Sequence, residues 1–104
     1  MSDTQFKKGI LPLCVLSLLA KKGECYGYEI TSLISKELDV KAATIYLILN
    51  RFTELGYLKM FVVSQEKRPQ RKYYRLTAQG IRYQKHLLSE WTVFEQSVRR
   101  LINE

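Results

Sequence analysis

The chain has 104 residues, enough for one domain with a modest hydrophobic core. Its 46% hydrophobic and 26% charged content is that of a globular protein and argues against disorder. The formal net charge of +7 equals that of one window, Lys59 to Lys85, which holds eight Lys/Arg against a single acid, Glu66. Charge gathered in this way points to a polyanion-binding face more than to a generally basic surface.

Ser2 or Asp3 is placed to cap a first helix carrying Phe6, Ile10, Leu13, Cys14, Leu16, Leu19 and Ala20. Pro12 must fall in an early turn or kink it. Lys21-Lys22-Gly23 supplies a cationic last turn and a glycine stop. Lys7-Lys8 before the run Ile10–Ala20 imitates a signal peptide. Against that reading, Pro12 interrupts the run, Lys21-Lys22 follows at once, and no small-residue cleavage site appears. The run is also too short to span a bilayer. Cys14, inside Leu13-Cys-Val-Leu16, reads as a small core residue, and Cys25 as an ordinary or a reactive thiol. Their spacing fits neither zinc nor a redox pair, so a reduced, cytoplasmic chain without a membrane partner is expected.

Tyr26-Gly27-Tyr28 opens a second helix with Ile30, Leu33, Ile34 and Leu38 at helical spacing. Asp39-Val40 is the turn. A third helix runs from about Ala42 to Leu55, stopped by Gly56, with Ile45, Ile48, Leu49, Phe52 and Leu55 as its buried stripe. The opposite face holds Ala43, Tyr46, Leu47, Asn50 and Glu54, with Lys41 ahead and Arg51 at the edge. Small, aliphatic, aromatic and amide groups in place of charges suit a major groove. Ala43 or Leu47 meets thymine methyls, Asn50 pairs with adenine, and Tyr46 donates to phosphate. The same face also fits a protein contact built around Leu47.

Leu58–Ser64 is β-branched and aromatic and reads as a strand, Gln65–Gln70 as a turn, and Arg71–Leu76 as the return strand. Lys67, Arg68, Arg71 and Lys72 surround Pro69 at the tip, placed to neutralise phosphates. Thr77-Ala-Gln-Gly80 starts a last helix that runs nearly to Asn103. On it Leu87, Trp91, Phe94, Val98 and Leu101 are spaced 4, 3, 4, 3, an a/d seam broadened by Leu88 and Ile102. The helix outruns what so small a core needs, so the seam is assigned to a homodimer interface, with Phe6 and Ile10 of the first helix. Trp91 and its mate either pack together or clamp a planar aromatic ligand. His86 reads as a surface residue. No catalytic constellation, metal cluster or cofactor loop is seen, so no enzyme is expected.

The expected fold is mainly α with a small β-hairpin: a winged helix-turn-helix over 1–76 and a long C-terminal dimerisation helix over 77–104. Four motifs in order resemble the PadR family of winged-helix transcriptional regulators, in its short form. They are Phe6-Lys-Lys-Gly9; Tyr26-Gly-Tyr-Glu-Ile30; Thr44-Ile-Tyr46 with Leu49, Arg51-Phe52 and Leu55-Gly56; and Arg71-Lys-Tyr-Tyr-Arg-Leu-Thr77 with Gly80. The resemblance implies a dimeric repressor whose DNA contacts fall here on Thr44, Tyr46, Asn50, Arg68, Arg71 and Lys72. It also implies a pocket for planar drug-like molecules between paired tryptophans, here Trp91. Lys41 stands where the family often has a capping Ser, and Leu47 where it often has Pro. Phe52 replaces a usual Leu.

The expectation is therefore a dimer reading a near-palindromic double-stranded DNA operator. Its rivals are a protein-interaction module and an RNA-binding or architectural protein that tolerates any duplex.

Overall fold

The structure is a computed structural model that describes residues 9–64, 66 and 69–103. The expected caps Ser2 and Asp3, and Phe6, Lys67 and Arg68 from the expected sites, lie outside the described residues.

Helix α1 spans Leu11–Lys22. Pro12 sits in its first turn, where its missing N–H costs no hydrogen bond. Leu11, Leu13, Val15, Leu16 and Leu19 are buried, and Gly23 (φ 79°) ends the helix by donating its N–H to the Leu19 carbonyl at 2.8 Å. Strand β1 (Glu24–Tyr26) follows, then α2 (Gly27–Leu38). The sequence reading put Tyr26 at the start of a helix. In the structure the sheet gains a third strand there, because Cys25 pairs with Tyr74 of the return strand and closes over the core. Three residues are too few to show a period of two.

Helix α2 buries Ile30, Thr31 and Ile34, whereas Leu33, expected inside, is 42% exposed. Asp39 ends α2 in the left-handed region (φ 55°), with its N–H on the Ser35 carbonyl. Helix α3 (Ala42–Glu54) buries Ile45, Leu49 and Phe52. Leu55, also expected inside, lies past the last turn and is half exposed. Gly56 (φ 85°) donates to the Thr53 carbonyl and Tyr57 to that of Phe52, a Schellman closure that only a left-handed residue permits cheaply.

Strands β2 (Leu58–Val63) and β3 (Arg71–Leu76) form the hairpin, with Leu58 opposite Leu76 and Val63 opposite Arg71. The antiparallel order is β1-β3-β2. Helix α4 (Ala78–Asn103) is capped by Thr77, whose hydroxyl accepts the Gly80 N–H at 3.0 Å. Its first turns pack on the domain. Tyr83 stacks on Tyr57 with centroids 4.3 Å apart, and Gln84 donates to the Ser17 hydroxyl of α1. Beyond Leu87 the helix leaves the core.

The core joins Leu11, Val15, Leu16 and Leu19 to Ile30, Ile34, Ile45, Leu49, Phe52, Leu58, Tyr74 and Cys25. Cys14, expected in this core, is half-buried, and Cys25 is the enclosed thiol. Three helices against one face of a three-stranded sheet make a winged helix. The radius of gyration is 15.4 Å, against about 13 Å for a compact chain of this length. The excess reflects α4. Among the described residues no helix is long and apolar enough to cross a membrane.

Candidate nucleic-acid interface

Burying Ile45, Leu49 and Phe52 turns the opposite side of α3 outward. Ala43, Tyr46, Leu47, Asn50 and Arg51 are all exposed there, Leu47 to 69%, and Thr44 is half-buried at the margin. Lys41 occupies the N-cap in extended geometry and makes no side-chain capping bond. Asp39, two residues earlier, closes α2. The first turn of α3 therefore rests on backbone bonding, with Thr44 N–H on the Lys41 carbonyl at 3.1 Å.

Tyr46 leans back toward the sheet. A β-carbon added to Gly27 would lie 3.0 Å from the Tyr74 ring and 3.6 Å from both the Tyr46 ring and the Lys72 carbonyl. The start of α2, Tyr46 of α3 and strand β3 thus converge at one point. Burial, and secondly the nearby Tyr46 phenol, push the Tyr74 hydroxyl above its ordinary pKa, so it stays protonated.

Strand alternation separates the two basic wing residues that are described. Lys72 shares the helix-side face of β3 with buried Tyr74, and Arg71 points to the outer face, its guanidinium 5.0 Å above the Tyr26 ring. Lys72 is thus on the side of the sheet that the helices cover; Arg71 is not. Thr44, Leu47 and Arg51 also rim an apolar groove shared with Leu11, Pro12 and Leu55.

On α4, Trp91 is 38% exposed, Phe94 62% and Leu101 83%. Ile10, Leu13, Leu87, Trp91 and Phe94 line one groove, of about 440 Å³, between the start of α1 and the middle of α4. Trp91, Phe94, Val98 and Ile102 line a second further along. The structure therefore gathers Ile10, Leu87, Trp91, Phe94 and Val98 along one continuous apolar surface. Leu101 lines neither groove.

Cys25 is not poised as a nucleophile. Burial and the hydrogen bond from Sγ to Glu29 Oε1, at 3.2 Å, push its thiol up to about 11. His86 pairs on the surface with Glu90 one turn on, at 3.0 Å. No metal-ligand cluster occurs among the described residues.

Residues 15–86 match the transcriptional regulator PadR-like family. The chain belongs to that family. Family membership makes it a transcriptional regulator rather than an enzyme. The negative transcriptional regulator PadR of Bacillus subtilis is 30% identical over 99 residues, spanning 91% of this chain but only 52% of that protein. A PadR-like regulator from Bacillus cereus superposes with TM-score 0.83 at 26% identity, covering 96% of this chain and 98% of that one. Bacillus subtilis PadR in complex with operator DNA superposes with TM-score 0.67 at 32% identity over 76% of this chain and 46% of that one.

Strand β1, and the ring row that it completes across the sheet, were not expected from the sequence. Lys59 and Arg75 fall in the basic window but in none of the expected sites. Period-two alternation in Arg71–Leu76 was the available signal.

Proposed function

We propose that this PadR-family chain is a dimeric, sequence-specific regulator of double-stranded DNA, acting as a repressor. One observation carries the reading: α3 presents an exposed face of Ala43, Tyr46, Leu47 and Asn50, and Lys72 lies on the helix-side face of the hairpin strand β3. Asn50 offers bidentate pairing to adenine, and Ala43 and Leu47 offer contact to thymine methyls. Lys41, Thr44, Tyr46 and Arg51 position the helix on phosphates, with Lys72, Arg71, Lys67 and Arg68 from the wing. The likeness to a relative solved on operator DNA supports duplex binding, and a relative described as a negative regulator supports repression.

Residues 1–76 form the reading head and 77–104 the dimerisation helix. The Trp91 surface is where two copies meet on a near-palindromic site, and where a planar aromatic effector would alter the spacing of the heads. The test is an anisotropy titration comparing DNA from upstream of the reading frame with a shuffled duplex. The expected preference is roughly a thousandfold or more. If neither that DNA nor any duplex from a random-library selection is preferred, the sequence-reading claim fails. No duplex binding at all would favour a protein-interaction module.

A further inference from the structure

The outer face of the sheet carries a pattern that duplex reading by α3 does not use. Tyr74, Cys25 and Leu58 point into the core, so their neighbours along each strand point away from it. Strand register sets this outer face in rows. One row is Glu24–Arg75–Lys59, the next is Tyr26–Tyr73–Phe61, and the third pairs Arg71 with Val63. The middle row is a run of rings. Centroids lie 5.7 Å apart for Tyr26–Tyr73 and 5.8 Å for Phe61–Tyr73, and Tyr28 extends the run at 6.1 Å from Tyr26.

Two features set this apart from an ordinary solvated face. Lys59 and Arg75 are directly opposite, a like-charge placement that costs stability. Neither they nor Arg71 forms an ion pair with a described residue, and Glu24 is the one acid in these rows. Secondly, the run has two open ends. Tyr28 is 63% exposed, and Phe61 lies on the edge strand with no strand beyond it.

We propose that this face binds single-stranded nucleic acid. Lys59 and Arg75 hold phosphates, and bases stack on Tyr28 and Phe61, continuing the run of rings at each end. Rows of cations flanking rings match a strand that presents phosphates and splayed bases together. A duplex hides its base faces. An acidic peptide would answer the charges but not the rings. The proposal does not rest on duplex reading by α3.

The test uses the full chain with labelled oligothymidylate and oligouridylate of about 15 nucleotides, near the upper site size of single-strand modules. Saturable binding in either arm is expected, and the stronger arm identifies the sugar. Tyr28→Ala should weaken it roughly five- to a hundred-and-fiftyfold, the range of one lost base–ring stack. Tyr28→Phe, which keeps the ring, should not. Lys59→Ala with Arg75→Ala should flatten the log–log salt slope by about 1.4. Asn50→Ala should leave oligonucleotide binding intact even where it abolishes duplex preference. No saturation in either arm would overturn the proposal. So would binding that survives Tyr28→Ala, falls with Asn50→Ala, or is displaced equally by polyglutamate. Matching thermal melts separate each of these from misfolding.

Discussion

The hydroxyl of Thr77 joins three elements. It donates to the Gly56 carbonyl at 2.6 Å and accepts the Gly80 N–H at 3.0 Å, while the Thr77 N–H donates to the Tyr57 carbonyl at 3.1 Å. The end of α3, the start of β2 and the first turn of α4 are locked together. Gly80 permits the approach: a β-carbon there would lie 2.0 Å from the Tyr57 carbonyl oxygen. Backbone on both sides leaves nothing flexible to yield. Gly80→Ala should therefore destabilise the fold by about 3 kcal/mol, at the upper end of overpacking costs, read as a lower denaturant midpoint. An unchanged midpoint would show that α4 slides freely. A second residue-scale expectation concerns pH. Cys25 keeps its proton in the fold until about 11, from an ordinary value of 9.0. Between those values the unfolded chain loses this proton and the folded chain does not. Stability is therefore full below pH 9 and falls on the way to 11, by on the order of 2 kcal/mol from this thiol. Cys25→Ala should show a shallower decline across that window. Parallel declines would mean the thiol reaches solvent.

Among the elements, α3 and the sheet each carry a local cost. Lys41 leaves the first turn of α3 uncapped, so Lys41→Ser should stabilise the chain by about 1 kcal/mol. A melting temperature unmoved by that change would mean the Lys41 position cannot aim an oxygen at the helix. In the sheet, Lys59→Ala removes one of two opposed cations and should add roughly 0.2–1 kcal/mol. A loss of stability would show that the lysine stem, not its charge, governs the position. These costs bear on what the sequence revealed. Ile45, Leu49 and Phe52, Gly56 as stop and Thr77 as the start of the last helix were legible because each follows from local periodicity or backbone chemistry. Leu33 and Leu55 were misplaced because a stripe on a helix does not say where its neighbours end. Strand β1 was invisible because its cause is not local: Cys25 becomes a strand residue only when Tyr74, far along the chain, supplies its partner. Of the candidate site, the face of α3 followed from the same periodicity that set the core. That Arg71 and Lys72 aim oppositely follows from period two, but which of them faces the helices could be read only once β3 had a buried side.

The whole molecule measures 59 × 30 × 21 Å, and the long dimension reflects the half of α4 that leaves the core. Phe94, Leu101 and Ile102 on that half are 62%, 83% and 72% exposed. An apolar surface of this kind on a lone chain marks an interaction site. The core cluster closes around α1 to α3 and the sheet, with Leu87 as the last helix residue packed against it. Removing apolar side chains beyond that point should therefore dissociate the proposed dimer without unfolding either copy. Phe94→Glu with Leu101→Glu is expected to sediment as a monomer with native circular dichroism. On DNA bearing two half-sites it should bind some 10²–10⁴ weaker than the parent, the usual gain from linking two heads. On a single half-site it should bind as the parent does. A variant that stays dimeric would move the interface elsewhere. A monomer with parental affinity for the full site would mean that one head reads the operator alone, and the projecting half of α4 would then need a different partner.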